Sequence, residues 1–294
     1  MNTAVAPSRL FNLHTYGVLK ASGPDVTRLL QGQLTCDVEK ISPTQSRLGA
    51  HCNPQGRIIS LFWLYRSKDA YYLLMPHDHV PVALAALKKY AIFYKATLAD
   101  VSDNYLINGY AGSIKTIASF NDLMCINMPS SPLRHIIFGP AEAIKTHLAF
   151  LSSQAEPASA NAWKCLDIAD HLPAIYPETT AKLLPHEINL PALQAVSFEK
   201  GCYTGQEIIA RMHYKGKLKN HLYHAELISQ DPPKPGATIY YQHQNDIKPC
   251  GIIVDSCLKD YNHCSVLIVT DESNAKNNHL FLDHNHHHYF VIQD

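Results

Sequence analysis

The chain has 294 residues, which at roughly 100–200 residues per domain suits two or three domains. Its 25 lysines and arginines balance its 25 aspartates and glutamates, so nucleic acid and anionic membranes, which both reward a basic excess, are not expected as partners. Hydrophobic residues at 46% can fill a core and exclude a disordered chain, while the 18 histidines offset a low charged fraction of 17%.

In chain order, Ser22-Gly23-Pro24-Asp25 reads as a helix start, with Val26, Leu29 and Leu30 on one face and Gly32 as its stop. Leu34–Val38 has strand character. Asn53-Pro54-Gln55-Gly56 is a turn that leads into an apolar, aromatic strand over Arg57–Arg66, and Tyr71–Met75 is its hairpin partner. A helix is expected over Val82–Tyr90, with strands over Ala91–Val101, Tyr105–Tyr110 and Arg134–Phe138. Pro140 opens a helix that runs to about Leu151. Ser152–Ala160 is small and polar and reads as a linker. After Gly216 the pattern becomes short strands broken by turns, a small all-β domain of five or six strands. Strands and helices mix without strict alternation, which predicts an α+β chain.

Eight cysteines stand at 36, 52, 125, 165, 202, 250, 257 and 264 with no C-x-x-C pair, a spread that reads as reduced thiols of a cytoplasmic protein. Met1–His14 lacks the apolar run of a signal peptide, and Val80–Leu87 is far shorter than a membrane span. Cys250, Cys257 and Cys264 are expected as small core residues, because cluster ligands come in closer pairs. His284, His286, His287 and His288 are expected at an exposed strand end, and no metal site is assigned. Lys215, Lys217 and Lys219, with His213 and His221, form a local basic patch.

The most informative window is Lys200-Gly201-Cys202-Tyr203-Thr204-Gly205-Gln206-Glu207. Two glycines flank one cysteine, so the backbone can turn sharply there. Thr204 and Glu207 fit a capping box, and Glu207 and Arg211 have the spacing of a helical ion pair. Cys202 then lies just ahead of a helix N-terminus, with Lys200 beside it in sequence and Arg211 on the helix. Such surroundings favour a thiolate. A buried, inert cysteine in a tight turn is the alternative.

This octapeptide resembles the signature of the YgfZ-type proteins, relatives of the glycine cleavage T-protein. Leu29-Leu30-Gln31-Gly32-Gln33-Leu34-Thr35-Cys36-Asp37-Val38 resembles that family's L-Q-G-Q-L-T-x-D-V. Gly49–Arg57 resembles its G-x-x-x-x-P-x-G-R turn, and Lys89–Phe93 and Asn189–Leu193 follow in order. The resemblance covers roughly residues 8–217. It implies an α+β, three-domain, T-protein-like ring around a folate-binding cavity. The expected domains are residues 1–48 plus 156–216 as a discontinuous folate-binding-type domain, 49–155 as a ferredoxin-like domain and 217–294 as a β-barrel.

The resemblance also implies a role in assembly or repair of iron–sulfur enzymes, with iron–sulfur proteins or their assembly machinery as partners. Tetrahydrofolate is the implied cofactor. Carried onto this chain, Cys202 is the functional thiol, tuned by Lys200 and Arg211, and Asp37, Trp163, Lys200, Gly201, Tyr203, Gly205 and Gln206 are the cofactor-binding candidates. The thiol could hold an intermediate, resolve an oxidised partner or touch a cluster in transit. Trp163 could stack on a pterin or simply pack in the core. One alternative is the one-carbon aminomethyl transfer of the T-proteins, which use an aspartate just after a Gly-Gly turn; here Gly56–Leu61 holds no carboxylate. Another alternative is a scaffold that docks partners without chemistry. Where the family shows an Arg-Ile-x-x-Gly-like run, this chain has Asp167-Ile168-Ala169-Asp170-His171, and the pterin-binding glutamate of the T-proteins is Ala169. Asp167 and Asp170 are left as the nearby acceptors.

Overall fold

The computed structural model describes residues 7–112, 123–129, 133–244, 246–277, 279–282 and 289–293. Among them, two five-stranded sheets and one closed six-stranded barrel account for the strands. The first sheet is built from β1 (Arg9–Asn12), β7 (Tyr105–Ala111), β8 (Met124–Asn127), β9 (Arg134–Pro140) and β10 (Glu156–Ala158), in the order β10-β1-β7-β9-β8. The second is built from β2 (Tyr16–Ser22), β3 (Arg47–Cys52), β4 (Ile58–Arg66), β5 (Ala70–Pro76) and β6 (Thr97–Asp100), in the order β3-β4-β5-β2-β6. Neighbouring strands are antiparallel except β1 and β10.

These strands read as unbroken apolar runs because both their faces are covered. On β4, Leu61, Trp63 and Tyr65 enter the core between the layers, while Phe62 and Leu64 enter the core under α1 (Val26–Gln33) and α2 (Val80–Ala91). On β9, Ile136 and Phe138 face inward, and Ile137 packs under α3 (Ala141–Gln154). Period-2 alternation thus divides each run between two cores. Full burial of such side chains is worth about 1.5–3 kcal/mol each.

The chain then forms α4 (Ala160–Ala169), a long irregular segment, and α5 (Gln206–Lys215). The barrel follows from β11 (Asn220–Ile228), β12 (Thr238–His243), β13 (Asp246–Leu258), β14 (His263–Asp271), β15 (Leu280–Phe281) and β16 (Tyr289–Ile292), with α6 (Glu272–Asn277) between β14 and β15. β14 puts Cys264, Val266 and Ile268 inside the barrel and turns Leu267 and Val269 against the main core. The mixed α/β body and the C-terminal barrel agree with the expected fold.

Several local expectations change. Residues 34–37 are not a strand; Leu34 makes only an isolated bridge to His51. Residues 92–96 continue α2 as a tight turn, so the strand expected from Ala91 begins at Thr97. The expected linker is ordered structure: α3 runs to Gln154, β10 pairs with β1, and Ser159 caps α4 by accepting from the Ala162 N–H. Small polar residues suit an edge strand and a cap as well as a tether. The boundary expected at 48/49 falls inside β3, and β2 pairs with β5 from Tyr16↔Pro76 to Ser22↔Ala70. Strand pairing therefore groups residues 16–100 as one layer and joins residues 9–12 to the other sheet. The four histidines at 284 and 286–288 lie outside the described residues.

Candidate functional site

Where the two sheets, α4 and the barrel meet, a cavity of about 730 Å³ opens. Tyr16 of β2, Trp63 of β4, Trp163 and Asp167 of α4, Tyr176 of the irregular segment and Asp255 of β13 line it. Its volume lies in the range of small-molecule sites.

One wall is built around Arg134, a guanidinium only 1% exposed. It donates to Asp167 Oδ1 at 2.7 Å and to Asp170 Oδ2 at 2.6 Å, and lies 4.7 Å from the centre of the Trp163 ring. Tyr16 donates to the other Asp167 oxygen at 3.2 Å. Burial pushes the Asp167 carboxyl up to about 6, against the opposing pull of Arg134. The facing wall repeats the pattern. Lys164 meets Asp255 at 2.6 Å, and the Tyr176 hydroxyl lies 3.1 Å from both Asp255 oxygens. Burial raises the Asp255 carboxyl and holds the Tyr16 and Tyr176 hydroxyls well above the ordinary phenol value.

Trp163 stands between these walls. Phe11 meets its ring edge-on at 5.1 Å, and only a glycine at 109 leaves room for the indole. The indole is 1% exposed, and its Nε1 makes no hydrogen bond of good geometry, the Tyr16 hydroxyl being its near polar neighbour. A buried unpaired donor costs about 1–3 kcal/mol, and a poorly paired one costs part of that, which a well-placed ligand acceptor recovers. Trp163 is thus both a core residue and a cavity residue.

The octapeptide builds a different region. The Lys200 ammonium donates to the carbonyls of Gln31, Leu34 and Cys36 at 2.7, 2.8 and 2.9 Å. All three of its protons are thereby spent on the end of α1 and the stretch after it, and none on Cys202. Burial brings the Lys200 amine down to about 8. Thr204 donates to the Gln33 side chain at 3.0 Å, so it does not cap α5. Gly205 is the N-cap instead, with φ +84°, and a Cβ there would lie 2.5 Å from the Asn53 carbonyl. Three separate stretches, 31–36, 53–56 and 200–205, therefore interlock as one knot.

Cys202 sits on this knot, and it alone of the six free cysteines is exposed. Glu207 and Arg211 are exposed and do not form the expected ion pair among the described residues. Asp37 accepts from Gln31 at 2.9 Å and lines a second cavity of about 420 Å³ with Arg47, Phe198 and Glu199. Partial burial raises its carboxyl less than the Gln31 and Lys40 contacts lower it, so it stays below the usual value.

Of the residues named from sequence, Trp163 and Asp167, one of the two acceptors left near the pterin, line the large cavity. Lys200, Gly201, Cys202, Tyr203, Gly205, Gln206 and Arg211 stand outside it, as does Asp37. Lys200 is a positioning residue of the knot. Tyr16, Arg134, Lys164, Tyr176 and Asp255 escaped the sequence reading because each is an isolated residue on a different element. Tyr16 reaches Asp167 across 151 positions, and Arg134 across 33. The acidic pair in 167–170 was the one signal, since a buried acid demands a cation and Asp170 offers that cation a second partner.

The expectation of reduced thiols is corrected at one place. Cys165 of α4 and Cys257 of β13 form a disulfide beside the Lys164–Asp255 pair. Ninety-two positions separate them, so only the docking of α4 on the barrel brings them together. Cys257 and Cys264 are buried and Cys250 is half-buried. Among the described residues no group of three or more histidine, cysteine or acidic side chains is placed to hold a metal, and no helix is long and apolar enough to cross a membrane.

No family model matches the chain. Curated proteins do. The tRNA-modifying protein YgfZ of Edwardsiella ictaluri is 32% identical over 235 residues, which span 74% of this chain and 70% of that protein. The tRNA-modifying protein YgfZ of Colwellia psychrerythraea is 29% identical over 274 residues, spanning 87% of this chain and 83% of that protein. Among solved structures, the glycine cleavage system aminomethyltransferase T of Bartonella henselae superposes with a TM-score of 0.74 at 14% identity, covering 98% of this chain and 85% of that one. At that identity the likeness is one of fold.

Proposed function

The chain belongs to the YgfZ family, and from that membership we propose that it is a folate-binding-type factor that supports assembly or repair of iron–sulfur enzymes, acts in tRNA modification, and uses Cys202 as its working thiol. The observation that carries the folate part is the cavity, in which a buried indole N–H without a well-formed hydrogen bond stands beside a buried carboxyl group. A pterin edge presents one acceptor and adjacent N–H donors, the complement of Trp163 and Asp167. The residues present thus fit the group. Asp167 would accept from the pterin edge, Trp163 would donate to it, and Arg134 and Tyr16 would hold Asp167 in place. When bound, tetrahydrofolate supplies nitrogens that carry a one-carbon unit.

The knot supports the thiol part of the proposal. It presents Cys202 to the exterior on a backbone fixed by Lys200 and Gly205, so a large partner can reach the sulfur. Aminomethyl transfer is not favoured, because Gly56–Leu61 offers no carboxylate to orient a folate nitrogen.

Titration calorimetry with 5-formyl-tetrahydrofolate tests the cavity, with binding expected and weakened about tenfold or more in Asp167→Asn. Absence of binding at millimolar ligand removes folate from the function. For the thiol, Cys202→Ser is expected to fold normally and to fail to restore a four-iron enzyme in cells that lack the native factor, because a hydroxyl gives no thiolate. Restored activity returns Cys202 to a shape element.

A further inference from the structure

The end of α2 and the turn after it form an exposed ledge that neither the cavity nor the knot uses. Ile92 is 76% exposed and Phe93 is 74% exposed. Lys88 and Lys89 lie in the last turn of α2, just ahead of Ile92 and Phe93 in the chain. Lys95 follows on the same turn, and Arg28 of α1 lies 5.1 Å from the centre of the Tyr94 ring. All four cations are exposed, and none is in an ion pair among the described residues. Neither α1 nor α2 contains an acid, and the nearby Asp25 spends Oδ2 on the Lys95 backbone N–H at 3.0 Å. The neutral total of the chain conceals this segregation: residues 16–100 hold ten basic and six acidic residues.

We propose that this ledge docks single-stranded RNA, such as the loop of a tRNA. The proposal rests on the reading that the chain acts in tRNA modification, and it is independent of folate and of Cys202. An exposed aromatic ring flanked by unpaired cations is the arrangement that stacks an unpaired base and holds its phosphates. A stable protein partner needs about 800 Å² per side, far more than two apolar side chains at a tip offer.

Binding of fluorescently labelled, unfractionated tRNA by the full chain, followed by anisotropy at about 50 mM salt, tests it. Phe93→Ala is expected to weaken binding between about 5- and 150-fold, the range of one stacked base. Lys88→Glu/Lys89→Glu is expected to weaken it further and to make the slope of log K against log salt shallower by about 1.4, two phosphate contacts on a single strand. The control Lys234→Glu/Lys248→Glu, with the same change of charge on the barrel, is expected to bind as the parent does. The substituted residues are exposed, and circular dichroism confirms that each variant is folded.

No binding with about 100 µM protein under that low-salt condition overturns the proposal. So does equal loss in the control, or adsorption to phosphatidylglycerol vesicles that depends on Phe93 while tRNA does not bind. If the chain proves dispensable for tRNA modification in cells, the functional reading fails. If it is required there but tRNA does not bind, the ledge alone fails.

Discussion

The knot and the cavity wall are built on opposite plans. The knot gathers three stretches whose residues are contiguous, and it is held by backbone groups: carbonyls received by Lys200, and a glycine packed on the Asn53 carbonyl. The cavity wall gathers single residues from β2, β9, α4, the irregular segment and β13, and is held by side-chain charge pairs. A backbone framework constrains neighbours in sequence and so leaves a motif. A side-chain pair constrains only its two members and leaves none.

The largest effect is expected where the wall depends on one cation. Arg134→Met strands Asp167 and Asp170 beside each other and should cost about 3–5 kcal/mol in urea unfolding, the range for breaking a buried pair. A loss below about 1 kcal/mol would show that water reaches this wall.

The two regions should answer acid with opposite signs. His51, in β3 beside the knot, is 0% exposed, and burial brings its imidazole down to about 4, with Lys89 adding to the effect. Its folded value lies below its unfolded one, so its contribution is present above about 6.5 and lost as pH falls toward 4, on the order of 3 kcal/mol. Asp167 is raised to about 6, so folding takes up a proton there and stability falls as pH rises from about 4 through 6. Unfolding of His51→Phe between pH 6.5 and 4 should lose the acid-sensitive part. An unchanged slope would place the acid response elsewhere.

The disulfide joins the wall to the barrel. Cys165→Ser/Cys257→Ser should lower stability by about 2–4 kcal/mol, and alkylation under denaturing conditions should find six thiols before reduction and eight after. Eight thiols from the start would mean that α4 and β13 pack without the bond.

Next comes the proton on Asp167. A ligand that donates to its carboxylate should bind about tenfold more weakly for each unit of pH below about 6, whereas Asp167→Asn should show no such slope. Smallest is Cys202→Ser, expected within about 0.5 kcal/mol of the parent because its side chain is exposed. A larger loss would make Cys202 part of the knot's framework rather than its outward-facing thiol.

The sequence by itself determined the main apolar strands, the helices near 82–90 and 140–151, the all-β tail and the family resemblance, because periodicity, turn residues and contiguous motifs record local backbone geometry. It placed Cys202 in a glycine-bounded turn before a helix, as found, but assigned Lys200 to the thiol when burial and three carbonyls claim it. Only the tertiary structure decided that β2 joins β5, that residues 156–158 form a strand, that Cys165 meets Cys257, and that Arg134 serves two aspartates. The physical reason is the same in each case. A strand's register is set by the sheet it completes, and a buried charge by the partner that neutralises it, and both partners lie far away along the chain.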